Sequence, residues 1–223
     1  MHNFQYVTAR QLSPVKQDLI LIINSVQNLV HKDFTFRFDF VGSAERNMVT
    51  YDVGTNIGFD FDVNMQVNDD ECKFSAKEIK TKIMDALIKV VPCFGYNKVE
   101  DSTRVITIKV KDRQNSRILH SCDFAIVNDY IDGDGYERQE YIHFYKKQKK
   151  YTWQEQPQGF YLLEEKAEWI KDCGYWDEMR KLYLYKKNCN NDSNKHSRSI
   201  YAETVHEICQ KYGYYNSYGK MLT

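Results

Sequence analysis

Two aspartates stand two residues apart in the stretch GFDFDVNMQV, as Asp60 and Asp62. Phe59, Phe61 and Val63 alternate with them. The stretch therefore reads as a strand with its carboxylates on one face and its apolar side chains on the other. Side chains at i and i+2 of a strand share a face, with Cα atoms roughly 6.5–7 Å apart. Two like charges so placed repel each other, and a divalent cation bridging them relieves the repulsion. Hard cations such as Mg²⁺ take carboxylate oxygens together with substrate phosphates. A third carboxylate, Asp123, lies in HSCDFAIV, where Cys122, Phe124 and Ile126 occupy the apolar positions. If this strand lies beside the first, Asp123 joins Asp60 and Asp62. Three carboxylates can hold two metals about 3.5–4 Å apart, the spacing used for in-line phosphoryl chemistry. Upstream stands Gly42-Ser43. Glycine lets a backbone come close to a phosphate, and nearby N–H groups and the Ser hydroxyl can donate to it. The plain alternative is a strand-ending turn. Arg46 is the only cation of residues 44–56, and either meets a phosphate or is solvated.

The elements that must position these groups follow from the pattern. Residues 1–13 read as a polar arm. Ser13-Pro14 is a helix start, and Val15, Leu19, Ile22, Ile23, Val26 and Val30 mark one buried face to about Val30. Phe34, Phe36, Phe38 and Phe40 alternate with polar residues, the period of a strand, which delivers Gly42-Ser43. Residues 44–56 read as a loop with a short helical turn. After a polar loop from Asn68 to Lys73, Ser75 and Glu78 form a capping box for a helix that Pro92 ends. Strands are expected near 96–100 and 103–111, joined at Asp101-Ser102. The loop 112–117 precedes the Asp123 strand. Asp132-Gly-Asp-Gly135 reads as a hairpin turn into Arg138–Tyr145; as a calcium loop its first and last ligands would be Tyr130 and Tyr141. Beyond Lys146 the chain is basic, then irregular from Tyr151 to Phe160, then helical at about 160–173, 175–188 and 198–212. The expected division is a core over 1–145 and a helical part over 146–223.

The chain has 223 residues, with 31 Lys plus Arg balanced by 31 Asp plus Glu. A zero net charge argues against a global basic field for long nucleic acid, while leaving room for a local patch. The 17 tyrosines serve core and surface, or stack on bases. Cys72, Cys93, Cys122, Cys173, Cys189 and Cys209 show no zinc-ligand spacing. Scattered cysteines without a secretory leader, and no apolar run of about 20 residues, suggest a cytoplasmic protein with no membrane span.

A Gly-Ser after one strand, a D-x-D on the next and a third Asp on a later strand resemble the nucleotidyltransferase superfamily related to DNA polymerase β. The branch of the oligoadenylate and cyclic-dinucleotide synthases is the most similar. The resemblance covers roughly residues 14–145. The family's second small-residue pair has its counterpart only at Gly54-Thr55. The resemblance implies an α+β fold with a mixed β-sheet flanked by helices and a C-terminal helical part. It implies a Mg²⁺- or Mn²⁺-dependent, ATP- or other NTP-using transferase that moves NMP to a hydroxyl acceptor and releases pyrophosphate. Asp60, Asp62 and Asp123 would be the catalytic and metal-binding residues; Gly42, Ser43 and Arg46 would bind the nucleotide. The acceptor is left open among small molecule, nucleotide, RNA end and protein. Lys166, Lys171, Arg180 and Lys181 are candidates for the β- and γ-phosphates or for salt bridges. Tyr151, Trp153 or Tyr161 would stack on the base or pack in the core. The rival is a nucleotide-sensing or interaction module that keeps the fold without turnover. A metal-dependent nuclease, which has no use for the Gly-Ser loop, is the weaker enzyme alternative.

Overall fold

The computed structural model describes residues 2–54, 58–69, 73–112, 114, 117–192 and 194–214. Thr55, Cys72 and part of the 112–117 loop lie outside them. The described residues fall into two compact units, one made of 6–51 and 58–156, the other of 2–5, 52–54 and 157–214. In chain order the elements are β1 (Phe4–Tyr6), α1 (Ala9–Val30), β2 (Thr35–Val41), α2 (Gly42–Glu45), β3 (Thr50–Asp52), β4 (Phe59–Asn68) and α3 (Ala76–Val90). Then come β5 (Val99–Asp101), β6 (Val105–Asp112), β7 (Arg117–Ile131), β8 (Glu137–Tyr145), β9 (Lys150–Glu155), α4 (Gln158–Asp172), α5 (Trp176–Cys189) and α6 (Ser197–Tyr212).

A seven-stranded mixed sheet builds the larger unit, in the order β2-β4-β7-β6-β5 with β8 and β9 continuing from β7. β4 and β7 are parallel; the other pairs are antiparallel. The helix α1 buries Leu19, Ile22, Ile23, Val26 and Val30, and α3 buries Ile79, Ile83 and Leu87. These side chains share one core with Phe61, Val63, Met65, Cys122, Phe124 and Ile126 of the sheet. Alternation along β4 and β7 therefore turns Asp60, Asp62 and Asp123 to the sheet face away from that core. The fold class is α+β, as expected.

Four expectations need correction. The helix α1 begins at Ala9, not after Ser13: Thr8 accepts from Gln11 N, and the Gln11 side chain accepts from Thr8 N. That capping box outcompetes Ser13-Pro14, and Pro14 sits inside the helix. The supposed arm contains β1. The 44–56 loop contains β3, which pairs with β1. The basic run after Tyr145 is a hairpin turn, with Lys149 at φ 50°, so residues expected to be irregular form β9 against β8. The sheet consequently runs past 145, and the last of the chain's crossings between the two units falls between Gln156 and Pro157.

In the smaller unit, α4, α5 and α6 bury Ile170, Met179, Tyr183, Ile200, Val205 and Ile208. Tyr175 stacks on Tyr212 at 3.7 Å. The Asn188 side chain bonds both the N–H (2.6 Å) and the carbonyl (3.1 Å) of Phe4. Among the described residues no helix is long and apolar enough to cross a membrane. No disulfide forms among the described cysteines: Cys93, Cys173 and Cys189 are exposed, Cys122 and Cys209 buried.

Candidate active site

Strand register assembles the candidate site. In the parallel pair β4–β7, Asp62 stands opposite Asp123 and Asp60 opposite Ser121. On one side Val41, the last residue of β2, is level with Asp62. On the other, Thr107 is level with Asp123 and Lys109 with Ser121; Glu100 is level with Thr107. Laterally paired residues share a sheet face, so Asp60, Asp62, Ser121, Asp123, Thr107, Lys109 and Glu100 form one polar surface. The structure thus brings the three sequence-predicted aspartates onto adjoining strands. Gly42 and Ser43 open the single helical turn α2 directly after β2, and Arg46 closes it, its N–H donating to Gly42 O at 3.3 Å.

Gly42 has φ +66°, and a Cβ added there would lie 2.6 Å from Asp62 Oδ2. Only glycine keeps that oxygen's surroundings open while holding the left-handed backbone. Gly58 makes a second close approach: a Cβ added there would collide with the backbone carbonyls of Ile118 and Leu119. Gly58 lets the starts of β4 and β7 meet.

Two hydroxyls hold two of the carboxylates. Thr107 Oγ1 donates to Asp123 Oδ1 at 2.5 Å, and Ser121 Oγ donates to Asp60 Oδ1. Both hydroxyl residues are buried, at 6% and 8% exposure. Burial pushes the Asp123 carboxyl above its ordinary range; the Thr107 hydrogen bond opposes the shift, the Asp60 charge adds to it, and Lys109 opposes it. Burial, with the charges of Asp123, Asp62 and Asp60, also raises the Cys122 thiol well above its usual value. Glu100 is drawn down to about 2 by hydrogen bonds from Lys98 and Lys109, whose amino groups lie 2.9 and 3.0 Å from it.

The donor set is oxygen-only and anionic, which suits a hard divalent cation, and Gly42 leaves the space beside Asp62 that such an ion needs. Among the described residues no three His, Cys, Asp or Glu groups stand as one ready-made ligand cluster.

Sequence reasoning missed Thr107, Ser121, Lys109, Glu100 and Gly58. Thr107 alternates with the apolar Ile106 and Ile108, a pattern that puts it on the polar face of its strand. Its burial comes from the long strand β7 beside it, a non-local pairing. Tyr151 does not offer its ring to a base: it stacks on Phe144 at 4.3 Å and its hydroxyl donates to Asp101 at 2.5 Å. Trp153 packs against the core. In the smaller unit Lys171 lies over the Trp176 ring, and Glu178 bonds Lys211 at 2.7 Å.

No protein-family model and no curated protein matches the sequence. Solved structures do match its fold. The dinucleotide cyclase DncV of Vibrio cholerae superposes with a TM-score of 0.64 at 12% identity, over 96% of this chain and 72% of that one. The same cyclic AMP-GMP synthase with a linear intermediate, 5′ pppA(3′,5′)pG, gives 0.58 at 12%, over 90% and 68%. The STING-associated CdnE c-di-GMP synthase of Capnocytophaga granulosa gives 0.56 at 15%. The chain spans 93% of its own length in that match but only 63% of the synthase. The fold is therefore that of the cyclic-dinucleotide synthases, the branch that the sequence motifs resemble.

Proposed function

We propose that this protein is a divalent-metal-dependent nucleotidyltransferase that moves NMP from a nucleoside triphosphate to a hydroxyl acceptor and releases pyrophosphate. The observation that carries the reading is the pairing of Asp62 with Asp123 across parallel strands, with Asp60 on the same face and Gly42 against Asp62. The fold shared with a synthase solved with a linear nucleotide intermediate supports it.

The Gly42-Ser43 turn binds the triphosphate through backbone N–H groups and the Ser43 hydroxyl, and Arg46 adds a positive charge nearby. Asp60, Asp62 and Asp123 would hold Mg²⁺ or Mn²⁺. Bound there, the cation offsets charge on the triphosphate and on the attacking and leaving oxygens. The acceptor oxygen forms a bond to the α-phosphorus while the bond from that phosphorus to the β-bridging oxygen breaks. Pyrophosphate carries away the electron pair. The acceptor proton passes to Asp123, through Oδ2, since Thr107 already occupies Oδ1. Most of the rate comes from positioning and charge stabilisation, as in other phosphoryl transfers. The net charge of zero provides no broad field for long nucleic acid, which favours a small molecule, a second nucleotide or a protein as the acceptor.

The test is pyrophosphate release from each of the four NTPs with Mg²⁺ or Mn²⁺, for the wild type and for Asp60→Ala and Asp123→Ala. Release by the wild type and a loss of at least about 100-fold in each variant are expected, since the charge stabilisation at stake is several kcal/mol. Equal release by a folded variant would overturn the assignment.

A further inference from the structure

Resting on that reading, we infer that Thr107 and Ser121 are positioning residues that aim the two outer carboxylates of the site. Each lies directly across a strand pair from the carboxylate it holds, Thr107 from Asp123 and Ser121 from Asp60. Each is buried, so its hydroxyl has little water to turn to. Each donates to Oδ1 of its partner. The two devices are alike although they sit on different strands, and each leaves Oδ2 of its aspartate for a cation or a reacting group. A carboxylate on a strand otherwise swings about χ2, whose well is broad. One fixed oxygen sets the direction of the other. Three carboxylates on one face repel, and a hydroxyl proton aimed at each outer one also offsets that repulsion before any cation arrives.

The backbone cannot supply this restraint. The strand N–H and C=O groups lie in the sheet plane, bonded along the ladder, whereas the carboxylates stand out of it. Lys109 does not replace the hydroxyls, because its amino group is bonded to Glu100 at 3.0 Å. Thr107 therefore acts on the reaction only through Asp123, and Ser121 only through Asp60.

The experiment measures Mn²⁺ affinity by electron paramagnetic resonance on the full chain, with wild type, Thr107→Val, Thr107→Ser, Ser121→Ala and an Asp62→Ala control. Valine keeps the shape of threonine without the donor; serine keeps the donor. Partners that orient metal ligands are typically worth about 10–100-fold in affinity. Thr107→Val and Ser121→Ala are expected to weaken Mn²⁺ binding by about tenfold or more, with circular dichroism unchanged. Thr107→Ser should restore affinity to within about threefold of the wild type, which a merely steric role for the residue would not produce. Wild-type binding that is lost in Asp62→Ala but kept in Thr107→Val and Ser121→Ala would overturn this inference alone. Tighter binding in Thr107→Val would overturn it too, by showing that the hydroxyl competes with the metal. No Mn²⁺ binding by the wild type would overturn the inference together with the proposed function.

Discussion

Burial raises the Asp123 carboxyl, and the charge of Asp60 adds to the shift against Thr107 and Lys109. An acid whose pKa rises on folding holds its proton more tightly in the folded chain than in the unfolded one. Its stabilising contribution is complete below the unfolded-state pKa and is lost as the pH rises through the raised folded value. Metal-free protein should therefore lose stability as the pH climbs out of the ordinary carboxylate range. Asp123→Asn should remove that part of the slope. Urea midpoints over a pH series measure it, and identical slopes for the two proteins would contradict the account. Gly42 makes a second residue-scale prediction. A left-handed backbone costs an L-residue about 1–2 kcal/mol, and the new Cβ would press on Asp62 Oδ2. Gly42→Ala should lower the unfolding free energy by at least that amount and weaken transfer at least about tenfold. A variant as stable and as active as the wild type would show that the turn does not depend on glycine.

The helix α3 is tied to the sheet by a lysine that is 1% exposed. Lys80 Nζ lies 2.8 Å from Asp101 Oδ1, donates to Ser102 O at 2.9 Å and sits over the rings of Tyr151 and Phe144. Burial lowers its pKa, against the pull of Asp101. Removing one partner of a buried pair commonly costs about 3–5 kcal/mol, because the other charge is left uncompensated. Lys80→Ala should destabilise by about that much, and Lys80→Met by less, since the methionine keeps the stem's packing. A loss under about 1 kcal/mol in Lys80→Ala would show that the network contributes little. The element scale also shows what the sequence made legible. α3 was readable because Ser75 and Glu78 cap it locally and its buried positions keep the helical period. β2, β4 and the Asp123 strand were readable because their alternation is strong. β1 and β3 were not, since three residues carry no period and their pairing joins distant stretches. β9 was hidden because a charged hairpin turn resembles the start of a linker. Asp60, Asp62, Asp123, Gly42 and Ser43 were legible as a pattern. Thr107 and Ser121 were not, because only strand register brings each to its carboxylate.

At the scale of the molecule, the core of α1, α3 and one sheet face fixes the direction of the other face, and register alone then lines up the acids. That geometry makes a single central claim: the aligned carboxylates transfer a nucleotide. The measurement that tests it most directly is incubation with each α-labelled NTP and Mg²⁺ or Mn²⁺, with Asp62→Ala as control and products resolved by size. The account predicts a labelled product other than the NTP and its hydrolysis products, with pyrophosphate released in equal amount and neither formed by the control. Label that stays in intact NTP under both metals, with no metal-dependent NTP binding by the wild type, would contradict it.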